Sequence, residues 1–176
     1  MKAIQTVLVL AALGLAASAQ PRSETAVGQR FFNLVDAVQH RVELSAAELS
    51  VLANDDLMRS RLHSDRPIPT LTQEGLEAAE VHLCGSGERD LVVIGDGASF
   101  AGANVGPFWI IRDLPTGSVV VLGEISLGLT IETKRSNKCL NVAAFAATAT
   151  DGTTTDYSFN GNRYIIAKQK SAKLTH

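Results

Sequence analysis

The sequence predicts an α+β protein in which short N-terminal helices pack on a C-terminal antiparallel β-meander of about seven strands. Two observations carry this expectation. Apolar residues recur at helical spacing before residue 83 and in short β-rich runs after it. The links between those runs are too short for parallel crossovers, which leaves antiparallel neighbours, read as one sheet curled over the helices.

Taken in order, Phe31, Leu34, Val35 and Val38 share one face at helical spacing, which predicts a first helix there. Ser45-Ala46-Ala47-Glu48 fits a capping box that starts a second short helix ending near Leu52: the serine covers a free backbone N–H and the glutamate reaches back. Asn54-Asp55-Asp56 can cap a third helix containing Leu57, Met58 and Leu62, with acidic groups at its positive end. Arg66-Pro67-Ile68-Pro69 reads as an extended connector, because proline restricts itself and its predecessor. Residues 72–79 are assigned one or two further helical turns, weakened by Gly75.

Seven runs then read as strands: 91–94, 108–111, 118–122, 129–133, 141–147, 154–159 and 163–167. Pro115-Thr116-Gly117, Asp151-Gly152 and Asn160-Gly161 supply turns, the last with the positive φ preference of a two-residue hairpin. Lys134-Arg135 with Lys138 is read as a solvated turn. The mature chain is expected to be a single domain, with residues 20–80 mainly helical, 81–170 forming the sheet and 171–176 a tail.

The first 19 residues read as a signal peptide. Lys2 gives a positive start, residues 7–15 are almost wholly apolar, and Ala17-Ser18-Ala19 offers the small-x-small pattern of a processing site. The apolar run is shorter than the roughly 20 residues that a bilayer span needs. Removing 19 of the 176 residues leaves 157, enough to bury a core. The later stretch 119–131 is interrupted by Glu124 and glycines, and reads as two strands. These features predict an exported protein, periplasmic or extracellular, with no transmembrane anchor. In an oxidising compartment the even pair Cys84 and Cys139 favours a structural disulfide. Sixteen basic against 18 acidic residues, with no basic cluster, argue against a nucleic-acid partner.

The segment His82-Leu83-Cys84-Gly85-Ser86-Gly87-Glu88-Arg89-Asp90-Leu91-Val92-Val93 resembles the motif that opens strands in secreted FG-GAP-like β-domains, D-x-N-x-D-G-x-x-D-L-V-V. Gly87, Asp90, Leu91, Val92 and Val93 match it. His82, Cys84 and Ser86 replace the oxygen donors that bind calcium in that family, so its metal site is not carried over. The closing Tyr157-Ser158-Phe159-Asn160-Gly161-Asn162-Arg163-Tyr164 is similar to a hairpin of uncharacterised secreted bacterial domains. The resemblance covers roughly the last half of the chain and implies a β-fold without an established activity.

Enzymatic constellations are incomplete. Gly97-Ala98-Ser99-Phe100-Ala101 approaches a nucleophile elbow, but Ala101 replaces the second glycine and no helix pattern follows. His82 is the one histidine near a strand, and would need Asp90 or Glu80 to orient it as a base. The carboxylate pairs Asp55-Asp56 and Glu77 with Glu80 lack further spaced ligands, and Trp109 sits in an apolar run that reads as core. No catalytic residue, metal or cofactor is assigned. The loop 96–106 is too long for a tight hairpin and carries Phe100 among small residues, so Ser99, Phe100 and Asn104 are taken as candidate binding residues. The expected function is therefore binding of a protein or envelope component, for example inhibition of an envelope-attacking enzyme such as a lysozyme. The alternatives are a small hydrolase drawing on His82, Asp90 or Ser99, and a structural envelope protein.

The export reading has a direct test. Mass spectrometry of the protein from its native host should find Gln20, or its cyclised form, at the N-terminus; intact Met1 on exported material would refute it.

Overall fold

The computed structural model describes residues 29–36, 38–62, 70–85, 87–96 and 105–173. The signal segment, the 66–69 connector and the loop residues Ser99, Phe100 and Asn104 lie outside the described residues. The described chain is mostly antiparallel β. Ten strands form two five-stranded sheets, accompanied by two short helices.

In chain order the elements are β1 (Phe31–Asn33), β2 (Arg41–Val42), α1 (Ala46–Ala53), α2 (Asp56–Arg61), β3 (Leu76–Val81), β4 (Arg89–Gly95), β5 (Gly106–Leu114), β6 (Gly117–Ser126), β7 (Gly128–Ser136), β8 (Cys139–Ala147), β9 (Asp151–Phe159) and β10 (Tyr164–Lys173). Sheet A has the order β1-β7-β8-β9-β10 and sheet B the order β2-β3-β4-β5-β6. The sheets pack face to face: Leu129, Ile131, Val142 and Tyr157 of sheet A meet Ala79, Val92, Phe108 and Ile110 of sheet B in one core. A second core lies on the opposite face of sheet B, where Leu52 and Met58 of the helices cover Ala78, Val93, Trp109 and Ile111. The molecule thus has three layers, with sheet B in the middle. That position explains why β4 and β5 read as unbroken apolar runs: a strand buried on both faces has no need to alternate.

The seven expected strands are all present as β4 to β10, but three more precede them. The expected helix at 31–38 is instead β1 and a turn. Phe32 points into the core while its neighbour Phe31 faces out, a period of two. Asn33 then ends the strand, its Oδ1 accepting the backbone N–H groups of Val35 and Asp36 at 2.7 Å. The turns of helix expected at 72–79 give way to β3, whose Ala78 and Ala79 serve opposite cores. Their small side chains fit a middle sheet, so tertiary packing overrides local preference.

Both central helices form as expected. Ser45 and Glu48 make the capping box of α1, and Asp55 caps α2 by accepting from Leu57 and Met58. A single sheet curled over the helices is not what forms, because the chain leaves sheet B at the end of β6 and enters sheet A as β7, with Leu127 between them. β10 runs to Lys173, past the sheet boundary expected at 170. Lys134 and Arg135 belong to β7, and the turn is at 137–138. Asp151-Gly152 opens β9 and is not a turn. Between β9 and β10 four residues link Phe159 to Tyr164, wider than the two-residue hairpin. Gly161 does take a positive φ, while the Asn160 side chain accepts from both Asn162 and Arg163 and opens the loop.

Cys84 and Cys139 form a disulfide that joins the β3–β4 turn of sheet B to the first residue of β8 in sheet A. Leu83 and Leu140 reinforce it, the Leu140 N–H donating to the Leu83 carbonyl at 2.8 Å. With a separation of 55 residues, loop-closure entropy gives this link about 4 kcal/mol. Cys84→Ser should therefore lower stability by roughly that amount in oxidising buffer. The same substitution should change little once the parent protein is reduced, as denaturant titration would show.

Candidate functional site

The antiparallel strands bring the turns to two opposite ends of the sandwich. At one end lie the turns at residues 82–88, 115–116, 137–138 and 160–163; at the other lie Asn33 to Asp36, the base of the loop 96–105, and Leu127.

The first end holds two of the candidate hydrolase residues, His82 and Asp90, and commits Asp90 to structure. Asp90 is buried between the sheets, where Oδ1 accepts from Arg112 Nε at 2.8 Å and Oδ2 from the Leu83 N–H at 2.9 Å. Burial pushes its carboxyl above the ordinary value of 3.8, although Arg112 and the N–H groups of Leu83 and Cys84 pull the other way. Arg112 also donates to Cys84 Sγ, lies 3.5 Å from Cys139 Sγ, and places its guanidinium 4.6 Å from the centre of the Phe159 ring. His82 is exposed outside this knot, with Glu80 at 4.0 Å, and both Asp90 oxygens are already occupied by other donors. The structure therefore does not assemble a His82–Asp90 pair of the kind a general base requires.

One rung further along, on the outer face of the same two strands, Arg89 lies opposite Asp113 with 3.1 Å between them, and also reaches Glu80 at 3.3 Å and buried Glu48 of α1. Burial alone would lower the Arg89 value; Asp113, Glu48 and Glu80 outweigh it and raise it. For Asp113, burial is outweighed by the Ser118 hydroxyl at 2.6 Å and by Arg89, which hold the carboxyl below its ordinary value.

Other acidic candidates are also accounted for. Asp55 caps α2 and accepts the Trp109 indole N–H at 2.9 Å, so Trp109 is a core side chain whose polar tip is satisfied. Glu77 pairs with Arg41 and accepts the Val38 N–H. A cleft of about 460 Å³ between α2 and β6 includes Asp55, Asp56, Leu57, Val120 and Arg163, and of its two carboxylates Asp55 is the cap of α2. Among the described residues no three His, Cys, Asp or Glu side chains converge as metal ligands. No described helix is long and apolar enough to cross a membrane.

The second end carries the base of the candidate recognition loop. Asp96 leaves β4 with its N–H bound to the Gly75 carbonyl at 2.8 Å, and Gly106 opens β5. A Cβ on Gly106 would fall 2.4 Å from Leu34 Cδ2 and 3.2 Å from the Gly95 carbonyl oxygen, so glycine is what lets Leu34 close over the loop base. Beside it, Val35 is 92% exposed on the turn that Asn33 fixes. On the outer face of sheet A, Gly128 lies opposite both Asn33 and Phe145. The Phe31 ring rests over Gly128, where a Cβ would come within 3.1 Å of it. Phe31 and Phe145 nevertheless remain 52% and 41% exposed. Sequence reasoning missed Phe31 and Val35 because it read 31–38 as a helix with an inward face, and Phe145 because nothing local says which face of the strand at 141–147 stays exposed. The available signal was the Phe31-Phe32 pair, which a strand splits between two faces.

No protein family, curated protein or solved structure matches the chain.

The buried ion pair yields a pH prediction. Because the folded value of Asp90 lies above its unfolded one, the folded state binds more protons in that window, and this group's contribution to stability falls as pH rises from the ordinary carboxylate value through the raised one. Asp90→Asn should flatten that part of the stability profile. Arg112→Leu should raise the Asp90 value further, read from its carboxyl carbon by NMR titration, and cost about 3–5 kcal/mol.

Proposed function

We propose that this chain is an exported, disulfide-stapled binding protein that recognises a protein or envelope component through the sandwich end bearing the loop 97–104. The carrying observation is the group of exposed apolar side chains around the loop base: Val35 on a turn fixed by Asn33, with Phe31 and Phe145 flanking Gly128. Large apolar groups held out by rigid backbone make contact area at low entropic cost, the property of an interface anchor. Ser99, Phe100 and Asn104 belong to the same proposal, since their loop leaves β4 and re-enters β5 at this end. Export rests on the signal-like first 19 residues, and the disulfide is compatible with an oxidising compartment. Inhibition of an envelope-attacking enzyme is one form this binding takes. Against the hydrolase alternative stands the commitment of Asp90 to Arg112 and Leu83.

Affinity capture of the mature protein from its native envelope should retain a specific partner. Phe145→Ser and Phe31→Ser should then each weaken binding by about 2 kcal/mol, roughly thirtyfold, while shifting stability far less. Phe100→Ala should do the same. Loss of stability with unchanged binding would refute the placement of the interface, and failure to retain any partner would refute the binding reading itself.

A further inference from the structure

We propose that β10 is a strand-addition site for an extended acidic segment of a partner polypeptide. This surface is distinct from the apolar end described above and goes beyond that reading. β10 ends sheet A, and among the described residues it pairs only with β9. It is ten residues long, whereas the opposite edge strand, β1, has three. Residues 165–173 are exposed on both faces. The inward-facing side there is a polar ladder, in which Thr153 bonds Ser171 at 3.0 Å and Thr155 bonds Gln169 at 3.3 Å. An open edge of this length presents a row of backbone donors and acceptors to which another strand can pair.

The chemistry of the fitting strand can be read from β9, which already occupies the other side. β9 is threonine-rich and presents Asp156 opposite Lys168 and Asp151 opposite Lys173, with Lys170 3.9 Å from Asp156. A strand added on the open side meets Lys168 and Lys170 on one face and Lys173 on the other, so acidic residues at the alternate positions that face Lys168 and Lys170 suit it and basic ones do not. Ile165 and Ile166, 45% and 61% exposed, offer apolar contact near the start of the strand. A second copy of this chain fits poorly, since antiparallel self-pairing about Gln169 sets Lys168 against Lys170 of the other copy. In that register the lysines disfavour self-pairing, whereas an acidic partner meets opposite charge.

The test uses a synthetic ten-residue peptide alternating glutamate with valine and threonine, added to the full mature protein. Three controls accompany it: a lysine-for-glutamate peptide, the acidic peptide N-methylated at alternate residues, and vesicles containing phosphatidylglycerol. Hydrogen exchange over residues 164–173 should slow with the acidic peptide alone. Lys168→Glu with Lys170→Glu should weaken its binding at least about tenfold, and the corresponding double glutamine variant should do so less. The Phe31→Ser and Phe145→Ser proteins should bind it like the parent, which separates failure here from failure of the apolar interface. Equal binding of the N-methylated or lysine peptide, protection by vesicles without protection by peptide, or no protection at all would each overturn the proposal.

Discussion

Two neighbouring rungs between β4 and β5 hold the three layers together. Arg89-Asp90 runs antiparallel to Arg112-Asp113, so each arginine lies opposite an aspartate, and strand alternation sends one ion pair to each face of sheet B. The outer pair receives α1 through Glu48, whose carboxylate also completes the capping box of its own helix. The inner pair receives sheet A through the disulfide, the Phe159 ring and the Leu83 backbone. A slip of one residue would carry Asp90 out of the inner core and Arg89 into it, leaving buried charges unpaired on both faces. The register of the central strands is therefore fixed by electrostatics as well as by burial.

Burying Asp90 and Arg112 is costly, and their attraction does no more than offset much of that cost. The gain is specificity at one end of the molecule. Leu83 illustrates it: its N–H is held by Asp90, while its carbonyl accepts from both Leu140 and Arg135. Tyr164 closes the same region, its hydroxyl donating to the Leu140 carbonyl at 2.7 Å and its ring packing edge-on to Phe159. Burial, with nearby Asp90 adding to it, raises the Tyr164 hydroxyl above its ordinary value and keeps it a donor.

This stapled end leaves the opposite end free to differ. There the chain uses glycine at close approaches, Gly106 beneath Leu34 and Gly128 beneath Phe31, and leaves Val35 and Phe145 in solvent. The edge strand β10 lies outside both cores beyond Tyr164, so its composition answers to solvent more than to packing. The disulfide and the buried ion pair thus lie at one end of the sandwich, and the exposed Val35 and Phe145 at the other.

Wherever a local signal has one physical solution, the sequence was decisive. Ser45 with Glu48 and Asp55 with the N–H groups after it define helix starts without help from the rest of the chain. The β-rich runs of β4 to β10 and the pairing of the two cysteines also follow from local composition. Only the tertiary structure decided how many faces each strand buries, and hence that one sheet is two. Apolar runs such as 91–94 and 108–111 suit any doubly buried element, and nothing local states what covers each face. The strand at 31–33 was hidden for the same reason: Phe31, Leu34, Val35 and Val38 fit a helical period as sequence, but Asn33 turns the chain and Phe32 is the residue the core accepts. Pairing of Asp90 with Arg112, 22 residues away, depends on strand register, which arises only when both cores close together.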